Sequence, residues 1–230
     1  MLGGVIAFWI GIVVAVVDYP ATFDWRFVTV SSLLYSDRNP PGHLWGAAGV
    51  VVCGLLGAWW SSSHTVQPTS AVERSCAPLP GFRALGFGYG TMSIAGLFPE
   101  QLVAIPKGHE MLALTAFLCL CIGTVRLCFG MLEANSRRRT TVPASRLPIV
   151  VLSAAPLIPI ALAAITQFYL AIWKPNAPWV SLDWRSLGLP SYLSFAFWEW
   201  TTCALFSVYA VTLALLAASA RDRPRREGRW

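Results

Sequence analysis

Glu199 stands in the run YLSFAFWEW, residues 192 to 200, with aromatic residues on both sides. An ionised carboxylate inside an apolar helix costs several kcal/mol unless it is paired, faces a polar cavity or takes up a proton. An acid in such a place is a functional candidate, with a buried hydrogen bond to another helix as the plainer alternative. His109 and Glu110 follow IPKG and open a second apolar run. An acid in a first helical turn suits the positive end of the helix dipole, so capping is one role open to this pair. The same dipole disfavours imidazolium, which leaves a neutral His109 able to accept or relay a proton. Ser31 and Ser32 add hydroxyls in the stretch VSSLLYS, and the tripeptide DWR occurs twice, at 24–26 and 183–185. The candidate catalytic residues are therefore His109, Glu110 and Glu199. The candidate substrate-binding residues are Ser31, Ser32, Asp24, Arg26, Asp183 and Arg185.

Several chemistries fail on spacing. HEMLA at 109–113 begins like a zinc-protease motif, but Ala113 stands where the second histidine is required. His43 and His64 lie at opposite ends of one predicted helix, roughly 30 Å apart at about 1.5 Å per residue. No metal site and no cofactor are expected. A serine hydrolase lacks a nucleophile-elbow sequence, and loop serines serve more often as caps and turn formers. Of the six cysteines, five lie in apolar runs and read as small core fillers.

These groups must be held by helices. Only 12% of the 230 residues are charged, 56% are hydrophobic, and the mean hydropathy is +0.58. A soluble domain carries about 25% charged residues. The fold predicted is an all-α, polytopic membrane helical bundle, a single domain over 1–220 with a basic tail at 221–230. Six transmembrane helices are expected near 2–17, 44–60, 84–98, 111–132, 147–173 and 192–218, since about 20 apolar residues cross a bilayer. Pro156 and Pro159 predict a kink in the fifth, and Gly86, Gly88, Gly90 and Gly96 predict close packing in the third.

Arginine placement sets the orientation. With six spans, the side bearing both termini collects Arg74, Arg83, Arg137–Arg139, Arg146 and the tail arginines. By the positive-inside rule both termini are cytoplasmic. The net charge of +6 follows from this asymmetry, and no nucleic-acid partner is implied. The opposite side gathers seven of the eleven acids, counting Glu110 and Glu199 just inside their spans, together with His43 and His109.

Three segments resemble the FRAG–DRAM–Sfk family of six-span membrane proteins. VSSLLYSDRNPPGHLWGAAGVVVCGLLG is similar to that family's serine-rich loop, proline pair and small-residue helix, with Ser31, Ser32, Pro40 and Pro41 at motif positions. GLFPEQLVAIPKGHEMLALTAFLCLC resembles its loop ending in His-Glu at the head of a helix, where His109 and Glu110 fall. YLSFAFWEWTTCALFSVY resembles its aromatic final helix, where Glu199 and Trp200 fall. The family includes lipid-remodelling proteins that act after GPI attachment, autophagy modulators, and a plasma-membrane factor linked to a phosphoinositide kinase. The resemblance implies lipid handling, with membrane lipids as partners: binding or remodelling a glycolipid or phospholipid at the non-cytoplasmic leaflet. The alternative is a non-enzymatic regulator or adaptor acting through the cytoplasmic loop and tail. Endomembrane and plasma membrane both remain open, as do a protein partner and a homo-oligomer.

Overall fold

The computed structural model describes residues 1–65, 79–99, 108–137, 147–173, 188 and 190–227. Among these it is entirely helical, with no strand. The helices are α1 (Leu2–Val17), α2 (His43–Thr65), α3 (Leu79–Leu97), α4 (Gly108–Arg137), α5 (Leu147–Ala154), α6 (Leu157–Trp173) and α7 (Phe195–Glu227). Helices α5 and α6 form one rod broken at Ala155 and Pro156, so the described chain makes six rods. The break falls where proline both removes an amide donor and crowds the preceding turn. Asp183, Arg185 and the second DWR lie outside the described residues, as do Lys107 and Lys174.

Two helical stretches, His43–His64 and Met111–Gly130, are long and apolar enough to cross a membrane. Shorter apolar helical stretches cover Leu2–Val17 and Leu157–Tyr169. Their outward surfaces are greasy: Ile6, Ile10, Val13 and Val17 on α1, and Leu114, Leu118 and Ile122 on α4, are all exposed at helical spacing. The interior joins Phe8 and Ile12 of α1, Val50 and Cys53 of α2, Leu85 and Tyr89 of α3, Leu120 and Leu127 of α4, and Phe206, Tyr209 and Leu213 of α7.

Helices α1 to α4 pack in chain order, with the α2–α3 contact the most extensive, and α6 pairs with α7. Helix α7 is tied to α1 by Trp9, whose Nε1–H donates to Ser207 Oγ at 3.0 Å and whose ring meets Trp200 at 6.2 Å. A polar residue fixes the loop between α1 and α2. Asn39 is fully buried and donates from Nδ2 to the carbonyl of Ala15 at 2.8 Å. That bond satisfies one of the orphan carbonyls at the end of α1.

The start of α7 differs from the sequence expectation. A span beginning at residue 192 would place Glu199 two turns deep. Instead Ser191–Leu193 form a 3-10 turn, and the buried Ser194 caps the helix by accepting from the Ala196 amide at 3.1 Å. Serine is favoured at such a cap because its oxygen takes an amide that has no intrahelical partner. Glu199 is then the fifth helical residue, little more than one turn in, at the level of the α1–α2 loop.

Candidate functional site

The α1–α2 loop supplies most of the site. Its first turn is the DWR at 24–26. Asp24 Oδ1 accepts the Arg26 amide at 3.1 Å, and the carboxylate also takes Arg26 Nε and Nη2, both at 3.0 Å. This is an Asx turn closed by a bidentate ion pair, geometry that suits Asp and a guanidinium fork. The pair raises the Arg26 pKa above its ordinary value, through the Asp24 hydrogen bond first and its charge second. Asp24 and Arg26 thus hold one another, with the Arg26 side chain exposed and the Asp24 side chain half-buried. Trp25 stacks on Phe197 of α7 at 5.4 Å, with the rings 26° apart.

The next turn is built from hydroxyls. Thr29 Oγ1 accepts the Ser32 amide at 3.1 Å and the Ser31 hydroxyl at 3.1 Å, and it also bonds the Ser32 hydroxyl. These contacts start the 3-10 helix Ser31–Leu34. Thr29 and Ser32 are buried, and Ser31 is half-buried.

Glu199 reaches this turn from α7. Its Oε2 accepts the Val30 amide at 2.9 Å, and the carboxylate also faces the amide and hydroxyl of Ser31. The Ser31 hydroxyl has a single proton and donates it to Thr29 Oγ1. The adjacent Trp200 donates from Nε1 to the carbonyl of Val28 at 2.8 Å. Glu and Trp thus clamp the loop at successive residues, one as acceptor and one as donor. Among the described residues no cation pairs with Glu199. A backbone amide takes this role, and an amide leaves no mark in residue types. Trp200→Phe should lower stability by about 1 kcal/mol, the net worth of one hydrogen bond. Chemical denaturation followed by tryptophan emission tests this, and a change below about 0.3 kcal/mol would show that the indole bond is idle.

His109 reaches the same loop from the other side. It is the second residue of α4, it is buried, and its ring meets Tyr35 edge-on at 5.2 Å. Glu110 follows it in the helix, and its side chain lies outside the described residues. Tyr35 also carries Arg38, whose guanidinium sits 5.0 Å from the ring centre while Nη1 donates to Ser32 Oγ at 3.3 Å. Thr29, Tyr35 and Arg38 are site residues that the sequence reading did not single out, whereas Trp200 stood at a position of the third motif. Two of them, Tyr35 and Arg38, lie in the quoted segment YSDR.

The three sequence segments therefore meet at one end of the bundle through one loop. Glu199 and Trp200 hold residues 28–30, and His109 packs on residue 35. Among the described residues, no group of three His, Cys, Asp or Glu side chains could hold a metal ion. In comparisons with protein families, curated proteins and solved structures, no match to this chain is found.

Proposed function

We propose that this chain is a multi-pass membrane protein, with six spans and both termini cytoplasmic, that holds a lipid at the non-cytoplasmic end of its bundle. The observation that carries the reading is the convergence of Glu199, Trp200 and His109, from α7 and α4, on residues 28–38. The greasy outer surfaces of α1, α4 and α6 support a bilayer environment, because apolar stripes of this extent mark membrane or protein contact. Trp25, Trp45 and Tyr192 are exposed near the same end, the amphipathic residues suited to headgroup depth. The likeness to the FRAG–DRAM–Sfk family belongs to the same proposal, since its three motif segments are the ones that meet.

Within this reading Glu199 is a positioning residue. Its Oε2 holds the turn that carries Ser31 and Ser32, so it shapes the site. His109 is the candidate for moving a proton in any remodelling step. One observation favours the second reading, a regulator acting through its cytoplasmic segments: the carboxylate already has a structural partner in the Val30 amide.

Photolabelling separates the two. The full chain in nanodiscs would be irradiated with a phospholipid and a glycolipid, each bearing a diazirine near the headgroup. Labelling concentrated on residues 28–38 and around 109 is expected, and Ser32→Val should weaken it at least threefold. Labelling spread evenly over the apolar helix faces, unchanged by Ser32→Val, would sink the lipid-site reading. Under the regulator reading, replacing Arg221, Arg223, Arg225 and Arg226 by Gln abolishes partner capture and leaves any labelling alone.

A further inference from the structure

Arg38 has no role in the clamp that Glu199 and Trp200 form. It is half-buried, and its described contacts are the Tyr35 ring at 5.0 Å and one N–H bond to Ser32 Oγ at 3.3 Å. A guanidinium has five N–H donors in a rigid fork, so most of them remain after Ser32 takes one. Among the described residues no carboxylate pairs with it. Its neighbour Asp37 is exposed and makes no ion pair there, and Glu199 is engaged by the Val30 amide. A partly desolvated cation with spare donors is stabilised by an anion that can accept them.

The surroundings fix its aim and its level. Tyr35 supports the guanidinium through its ring face, and Ser32 is held in turn by Thr29. The mount is thus buried and hydrogen-bonded, which lowers the side-chain entropy lost when a ligand binds. Helix α2 begins five residues later, and Leu44 and Trp45 at its start are exposed apolar residues. That pairing of a fork and an outward indole belongs at headgroup depth, where phosphate is the abundant oxyanion. His109 packs on the same Tyr35 ring at 5.2 Å and completes the cluster.

We infer that Arg38, mounted on Tyr35 and Ser32, is a seat for a phosphate oxyanion, and that it sets the headgroup class the site accepts. The inference rests on the lipid-site reading above and narrows it to phosphate-bearing ligands over neutral glycolipids. The phosphate comes from a lipid headgroup or from free phosphate, since the fork engages either in the same way.

The test uses the purified full chain in detergent with matched dioleoyl lipids, observed by native mass spectrometry. Phosphatidylcholine and galactosyl diacylglycerol are the two probes; both are net neutral, so the comparison reports phosphate and not overall charge. The wild type should retain phosphatidylcholine in preference by about tenfold. Arg38→Gln should bring the ratio near one. Arg38→Lys, which keeps the charge and loses the fork, should fall between them and guards against a folding defect in the Gln variant. Inorganic phosphate at millimolar concentration distinguishes the sources: displacement of the lipid identifies phosphate alone as sufficient, and persistence identifies the headgroup in its lipid setting. A wild type that retains both lipids equally, or a preference that survives in Arg38→Gln, overturns the seat and leaves the lipid site standing. Retention of neither lipid overturns both.

Discussion

Glu199→Leu should release the loop between α1 and α2 while leaving the helices in place. The substitution removes the acceptor for the Val30 amide and the carboxylate that faces Ser31. Leucine fills similar space and can accept nothing. Hydrogen bonds to a charged group are worth about 1.5–3 kcal/mol each, and a donor left buried without a partner costs about 1–3 kcal/mol. With the Val30 amide stranded, a loss of roughly 2–3 kcal/mol is expected. Glu199→Gln keeps one carbonyl acceptor on the same stem. Neutral side-chain bonds between membrane helices average about 0.6 kcal/mol, so Gln should cost about 1–2 kcal/mol. Amide hydrogen exchange reads this directly. The Val30 amide should exchange on the order of 100-fold faster in the Leu variant, and the interior amides of α2 and α3 should be unchanged. Exchange within about threefold of wild type in Glu199→Leu would mean that the carboxylate is not what holds the loop.

That outcome bears on what the residues reveal unaided. The aromatic setting of Glu199 made it conspicuous, and its partner was the part that could not be read. The partner is a backbone amide in a turn 169 residues away in the chain, and amides carry no sequence signature. Long-range pairing of this kind depends on how α7 lies against α1, which apolar periodicity leaves open because both helices are greasy on most sides. Ser31 and Ser32 were legible as hydroxyls, and Thr29, which organises them, bears no motif that sets it apart. Arg38 stands in the segment YSDR with nothing in its spacing to mark a role. Its contact with Tyr35 follows from the turn at 35–39, where the amides of Arg38 and Asn39 both bond the Tyr35 carbonyl. The helices were legible in number and approximate place, because hydropathy windows sense composition. Their ends were not: α4 runs to Arg137 and α7 to Glu227, past the apolar stretches, since a helix once formed extends at little cost through residues of good propensity. The break before Pro156 was legible, because proline acts locally.

The largest effects of all are expected from methyl groups added to glycines that sequence alone cannot rank. The stretch GFGYG at 86–90 offers three glycines on one helix, and the structure treats them differently. A Cβ on Gly88 would lie 3.0 Å from the Ala116 carbonyl, and one on Gly90 would meet nothing within 4 Å. The tightest contacts lie elsewhere. A Cβ on Gly11 of α1 would sit 2.8 Å from Gly49 Cα, and one on Gly54 of α2 would sit 2.6 Å from the Tyr89 carbonyl and 2.9 Å from the Ser93 amide. These obstacles are backbone atoms of a neighbouring helix, so no rotamer change can clear them, and the helix pair must separate. Small residues allow this approach in membranes, where packing contacts replace the hydrophobic drive between helices. Gly11→Ala and Gly54→Ala should each cost about 1–3 kcal/mol or more, the range for forcing volume into a packed interior. Gly90→Ala should stabilise by about 0.5–1 kcal/mol, because alanine is the better helix former and has room. Gly3→Ala, with Leu56 Cδ1 at 3.9 Å, should also be tolerated. Unfolding in mixed micelles by denaturing detergent measures all four on one scale. The sign difference between Gly54 and Gly90 is the decisive quantity. Both variants add the same methyl group to glycines in the α2–α3 pair, so propensity alone predicts that they move together. If Gly90→Ala destabilises as much as Gly54→Ala, then α3 is rotated about its axis relative to this packing, and the contacts that set Tyr89 and Ser93 against α2 are wrong with it.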